Sequence, residues 1–301
     1  MSSGEHLSET ARKALSLSDA DRIKYIMEDR WVGYTHANEI LIRMEDLLNH
    51  PHCSRMPNMM LTGRSNSGKT HLVKRFRDLH LPDSNPEGGS ISVPVLYIEA
   101  PGKPEITALY SSILSLLCVP YNPKSKEEIL EAQVIKVLQS INLGVLVIDE
   151  IHNLIAGSLL KQRAYLNSLK RLGNQLERSI IGVGTADALR AIQIDEQLSN
   201  RFKPEVLPPW KLDKEFLRFL ASLERIIPLR DPSNLIEKSL AIKLHTLSEG
   251  SIGELSSLLN MAAKWAIRNT KPGDPERIDE AALKACGYIP ASLRKEEVRK
   301  I

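Results

Sequence analysis

The sequence has little cysteine, no long apolar run and no strong excess of either charge, and each shortage closes off a class of protein. Three cysteines, Cys53, Cys118 and Cys286, lie far apart with no C-x-x-C pair. They make neither a zinc site nor a disulfide framework, and they fit a reducing cytosol. No apolar segment approaches transmembrane length, and none follows the N-terminus as a secretory leader would. A soluble, cytoplasmic protein with no membrane partner is expected. The net charge of +3 is too small to announce nucleic-acid binding, although basic residues can still gather locally. Internal repeats and low-complexity segments are also missing. What remains is 301 residues of ordinary globular composition, 42% hydrophobic and 26% charged, with room for a core and a smaller appendage.

The stretch around which the rest is arranged is Gly63-Arg64-Ser65-Asn66-Ser67-Gly68-Lys69-Thr70. It fits G-x-x-x-x-G-K-[ST], with an apolar run (Met59-Met60-Leu61) before it and a helical pattern from His71 after it. Glycines at 63 and 68 let the backbone turn tightly and aim its N–H groups inward, an anion nest at a helix N-terminus. Lys69 is expected to reach the β- and γ-phosphates of a nucleotide, and the Thr70 hydroxyl to ligate Mg²⁺. ATP and Mg²⁺ are the cofactors this implies.

Gly144-Val145-Leu146-Val147-Ile148-Asp149-Glu150 is the second decisive stretch. A continuous apolar run ending in two acids reads as a buried parallel strand that delivers carboxylates at its C-terminal edge. With a P-loop upstream this is a Walker B: Asp149 for the Mg²⁺, Glu150 as the base that polarises the attacking water. A further short strand, Ile180-Ile181-Gly182-Val183-Gly184, carries Thr185 at its tip. Thr185 either helps position that water or caps the helix that begins at Ala186.

Strand and helix patterns alternate as far as Trp210, where Val206-Leu207-Pro208-Pro209-Trp210 reads as an edge strand leaving the core. From Lys211 onward only helical patterns are legible. The fold class is therefore α/β, a parallel sheet sandwiched by helices and followed by a small all-helical lid. The expected boundaries are a flexible polar tail over 1–18, an ATPase core with N-terminal helices over 19–210, a lid over 211–290, and a charged tail over 291–301.

An α/β core, a helical lid and a Walker B written Asp-Glu resemble the plan of AAA+ ATPases. Further segments narrow the resemblance: Arg22-Ile23-Lys24-Tyr25-Ile26, Asp29-Arg30-Trp31-Val32-Gly33-Tyr34, Arg55-Met56-Pro57-Asn58, Phe202 to Trp210, and Glu249-Gly250-Ser251-Ile252-Gly253-Glu254-Leu255. These look like the TniB family, transposon-encoded AAA+ proteins related to TnsC and functionally similar to MuB. The resemblance spans about Ser18 to Ala285. It implies an ATP-dependent regulator of DNA transposition that assembles on duplex DNA as a ring or filament of its own copies. Such a protein recruits a DDE transposase, with a target-selection protein as a further partner, and is disassembled by ATP hydrolysis. A nucleotide-gated adaptor, or an ATPase resembling a replication initiator or helicase loader, is the alternative.

The resemblance also assigns residues. Arg201, in Leu198-Ser199-Asn200-Arg201-Phe202, matches the arginine finger that one subunit lends to its neighbour's nucleotide; a structural salt bridge is the other reading. Trp31, Val32 or Tyr34 would pass the adenine, or else belong to the core. Lys103, Lys124 and Lys126, on loops after the second strand, would meet DNA phosphates without reading bases. Lys161, Arg163, Lys170 and Arg171 form a second basic stripe. One position departs from the pattern: many AAA+ proteins carry a lid arginine where this chain has Glu254. Slow, oligomer-dependent hydrolysis is the expectation, with Lys264 or Arg268 as substitutes.

Overall fold

The computed structural model describes residues 4–83, 91–102, 105–155, 158–194 and 196–294. They divide into two compact units: residues up to Thr35 together with those from Pro209 onward, and His36–Pro208. The first unit begins with α1 (Glu9–Ala14) and α2 (Asp19–Met27). Serines start both helices, their Oγ atoms accepting from Ala11 N at 3.3 Å and Asp21 N at 3.2 Å. Leu7, Ala11 and Ala14 are buried, and Ser8 N–H donates to Arg225 O at 2.8 Å. The expected flexible tail over 1–18 therefore contains a packed helix, because small and apolar residues at helical spacing give it a face to bury.

The second unit is the α/β core. In chain order it runs α3 (Thr35–Leu48), β1 (Asn58–Gly63), α4 (Lys69–Leu79), β2 (Val95–Glu99), α5 (Ile106–Leu116) and α6 (Glu127–Ser140). It continues with β3 (Val145–Asp149), α7 (His152–Ile155), α8 (Leu159–Leu176), β4 (Ser179–Gly184), α9 (Ala186–Ile194), α10 (Glu196–Ser199) and β5 (Phe202–Leu207). The five strands form one parallel sheet in the order β2-β3-β4-β1-β5. Every residue of β3 and β4 is buried, which is why their sequences are continuously apolar or small rather than alternating.

β1 lies between β4 and β5, so its C-terminal end opens beside strands that are not its sequence neighbours, the usual place for a ligand crevice in such a sheet. The edge strand β5 begins at Phe202 and stops at Leu207 rather than running on to Trp210, since Pro208-Pro209 cannot continue a ladder. Pro204 within it is exposed and tolerated because the strand is an edge.

The first unit resumes with α11 (Lys214–Glu224), α12 (Lys238–Ser248), α13 (Ile252–Asn269) and α14 (Glu280–Ala285). Among the described residues it contains no strand. Leu255, Leu258, Leu259, Ala262, Ala263 and Ala266 form one buried face of α13, and α2 packs against that helix. The sequence had placed residues 19–35 with the ATPase core. They pack instead with the C-terminal helices, because their buried anchors, Arg22 and Ile26, find partners there. Gly250, with φ +67°, closes α12 onto the segment after β5: a Cβ there would sit 2.7 Å from Trp210 O. Trp210 N–H in turn donates to Gly250 O at 2.8 Å. No helix of the described residues is long and apolar enough to cross a membrane.

Candidate functional site

The C-terminal ends of β1, β3 and β4 gather the residues that the two sequence motifs singled out. After β1 the chain turns through Asn66, φ 59°, and Gly68, φ 89°, before α4 begins at Lys69. Gly63 is required by space: a Cβ would lie 2.6 Å from Ser67 Oγ and 2.9 Å from Leu207 O. Ser67 Oγ is buried without a hydrogen-bond partner among the described residues. An orphaned hydroxyl in a glycine-bounded turn at a helix N-terminus fits an anionic group such as phosphate. Arg64 and Ser65 sit exposed at its rim.

Lys69 is nearly buried, its Nζ donating to Gly63 O at 3.1 Å and Arg64 O at 2.8 Å. Burial pulls its pKa below the ordinary lysine value, while the charges of Glu150 and then Asp149 act the other way. Thr70 Oγ1 donates to Asp149 Oδ2 at 2.7 Å, so the two motifs, 79 residues apart, meet in a direct hydrogen bond. A hydroxyl and a carboxylate oxygen side by side are hard donors suited to Mg²⁺, which commonly takes one or two protein ligands and completes its shell with water and phosphate. Among the described residues no cluster of three His, Cys, Asp or Glu forms a cage that would dictate another metal.

Asp149 is almost wholly buried, and three donors hold its carboxylate. Besides Thr70, the Tyr97 hydroxyl donates to Oδ2 at 3.0 Å and the Glu150 N–H donates to Oδ1 at 2.8 Å. Burial, followed by the Asp149 charge, pushes the Tyr97 pKa well above the usual phenol value and keeps it a donor. Tyr97 was not singled out from sequence. The only signal was a polar side chain in the apolar run that forms β2, at a position facing β3. Glu150 follows with φ 52°, a left-handed conformation that a residue with a Cβ seldom takes. Ile151 N–H to Val183 O at 2.9 Å and Asn153 N–H to Glu150 O at 2.9 Å hold the turn in place. His152, also unremarked in the sequence, brings Nδ1 to 3.1 Å from Glu150 Oε2.

Thr185 follows β4, whose Gly184 pairs with Thr62, so it sits at the same sheet edge as Gly63. Its carbonyl accepts from Ala188 N at 3.1 Å, the backbone geometry of a helix start. Arg201 lies at the opposite edge. Phe202 pairs with Asn58, five residues before Gly63, about 17 Å along the strand and more than one side chain spans. Within the chain Arg201 cannot reach the P-loop; its Nη1 donates to Asn174 Oδ1 at 2.5 Å.

Lys124 and Lys126 are exposed in the turn before α6, and Lys103 lies outside the described residues. In the second basic stripe, Arg171 pairs with Glu127 at 2.6 Å and Glu131 at 3.2 Å. Trp31 is half-buried in the helical unit. Tyr34 packs there on Trp210 and Phe219, with centroids 4.8 Å and 5.7 Å away, and burial pushes its phenol up to about 12. Glu254 is buried, accepting from Tyr288 Oη at 2.7 Å and Arg294 Nη1 at 3.0 Å. Lys264 is half-buried and Arg268 exposed on α13.

A P-loop on a parallel sheet of this order, joined to a strand that ends in the buried Asp149, has the fold of AAA+ proteins. Solved structures agree. The ORC2 protein of Aeropyrum pernix, described in ADPNP–ADP complexes, superposes with a TM-score of 0.63 and 17% identity over 92% of this chain and 74% of that one. The ORC1 protein of the same organism, in complex with DNA, gives 0.63 and 17% over 93% and 72%. Drosophila ORC bound to DNA gives 0.57 and 14% over 98% and 70%. Within that class, residues 22–212 match the family described as "Bacterial TniB protein", and the chain belongs to the TniB family. No protein of curated function matches it in sequence.

Proposed function

We propose that this chain is an ATP-dependent, DNA-binding regulator of transposition. It oligomerises on target DNA when ATP is bound, recruits and activates a DDE transposase, and is disassembled by hydrolysis. The observation that carries the nucleotide part is the Thr70–Asp149 hydrogen bond, which joins a phosphate nest to a buried carboxylate. Membership in the TniB family supports the transposition part.

In this reading the nest, Lys69 and Thr70 hold the triphosphate, and Thr70 with Asp149 holds Mg²⁺, which supplies charge neutralisation on the phosphates. Glu150 accepts a proton from the attacking water, and Thr185 helps orient that water. Arg201, at the far sheet edge, serves the nucleotide of the next copy, which ties turnover to assembly. Trp31 and Tyr34 stand as adenine contacts, and Lys103, Lys124 and Lys126 as phosphate contacts to duplex DNA.

A second reading, a nucleotide-gated adaptor with little hydrolysis, is favoured by Glu254. Many AAA+ lids present an arginine at that position, whereas here a carboxylate is committed to Tyr288 and Arg294. Duplex-DNA binding with ATPγS, ADP and no nucleotide, over a salt series with imaging, separates the two. Salt-sensitive assemblies formed only with ATPγS support the regulator. Absence of DNA binding in every nucleotide state overturns it.

A further inference from the structure

We propose that His152 is the positioning residue for the Glu150 carboxylate, an inference that rests on the hydrolytic reading above. Nδ1 of His152 is buried and has no hydrogen-bond partner among the described residues, yet it lies 3.1 Å from Glu150 Oε2. The distance suits a hydrogen bond and the alignment does not. Contacts of catalytic groups are often out of line in a nucleotide-free enzyme and tighten when substrate binds. The backbone that sets this spacing is fixed by Glu150 at φ 52° and by the bonds of Ile151 and Asn153.

The alternative pull on Glu150 comes from Lys69. Of the two carboxylates whose charge acts on that ammonium, Glu150 acts more strongly than Asp149. A Glu150 side chain turned toward Lys69 would neutralise the cation that the phosphates need. An Nδ1–H donor from His152 gives the carboxylate a competing partner. This requires the Nδ1–H tautomer of His152, since the neutral ring donates through one nitrogen only.

Side-chain geometry makes the test selective. An asparagine amide nitrogen reaches the position of Nδ1, whereas that of glutamine reaches the position of Nε2. His152→Ala and His152→Gln are expected to lower kcat roughly tenfold with the melting temperature unchanged, and His152→Asn to recover most of the loss. Full activity in His152→Ala, or an asparagine variant as slow as alanine, would overturn the proposal. Ring ¹⁵N NMR reads the contact without turnover, the signal being assigned among the eight histidines by subtraction of His152→Asn. The expected result is an Nδ1–H ring in the native protein that reverts to Nε2–H in Glu150→Ala; an Nε2–H ring in both overturns the proposal. An intact Nδ1–H signal in a protein with no turnover would instead overturn the hydrolytic reading and leave the contact standing.

Discussion

Arg22 and Glu276, 254 residues apart, form an ion pair inside the helical unit with side chains 0% and 3% exposed. Pro228 O accepts two further bonds from Arg22, at 3.3 Å and 2.7 Å, and Arg230 N–H donates to Glu276 Oε1 at 3.1 Å. The pair is fully solvated by protein, so the cost of burying two charges is offset only while both are present. Arg22→Ala strands a buried carboxylate and is expected to lower the unfolding free energy by about 3–5 kcal/mol. Arg22→Met with Glu276→Gln, which removes the stranded charge, is expected to lose less. Urea unfolding compares them; an alanine variant within about 0.5 kcal/mol of native would show the pair contributes nothing.

Tyr97 donates to the same Asp149 oxygen as Thr70. Tyr97→Phe removes one of three donors to a buried carboxylate and is expected to lower stability by about 1–2 kcal/mol. It is also expected to raise the Mg²⁺ concentration needed for half-maximal nucleotide binding several-fold. Titration of Mg²⁺ at fixed nucleotide measures this, and an unchanged requirement would mean the phenol does not orient Asp149.

Glu150→Gln keeps the shape of the base and removes its proton acceptor. Turnover is expected to fall at least about 100-fold with nucleotide affinity retained, as read by single-turnover hydrolysis and equilibrium binding.

Arg201→Ala is expected to cost about 1,000-fold or more in turnover while nucleotide still binds. Mixing it with Glu150→Gln should restore partial activity, because some subunit boundaries then combine an intact base with an intact arginine. Retained turnover in Arg201→Ala alone would reduce the residue to its bond with Asn174.

Alkaline pH probes the helical unit. Burial raises the Tyr34 phenol to about 12 in the folded chain, above the unfolded value of about 10. Its contribution to stability is therefore complete below pH ~10 and is lost as pH rises through the folded value, up to about 2–3 kcal/mol. Tyr34→Phe is expected to flatten part of that decline in unfolding experiments between pH ~10 and ~12; an identical decline in the variant would refute the assignment.

Much of the site was legible because its chemistry is local. Gly63 to Thr70 is one contiguous strand–turn–helix segment, and Asp149 with Glu150 closes one apolar run. Tyr97 and His152 were not legible. A tyrosine in an apolar run and a histidine after a Walker B strand look ordinary until the register Glu99↔Asp149 and the Glu150 turn bring them to the carboxylates. The domain assignment of residues 19–35 differed for a similar reason: α2 reads as an amphipathic helix in either unit, and only Glu276 and Pro228 fix where Arg22 is satisfied.

By itself, then, the sequence determined the strand–loop–helix of the P-loop, the acids at and just after the end of β3, the succession of strands and helices, and the helical character of the described residues after Trp210. These follow from periodicity, glycine placement and contiguous apolar runs, all of which act over a few residues. The tertiary structure decided the sheet order, the meeting of Thr70 with Asp149, the placing of Arg201 at the opposite sheet edge, and the union of the N-terminal helices with the C-terminal ones. Those depend on which distant surfaces bury one another and which buried charges find partners, and no local spacing encodes either.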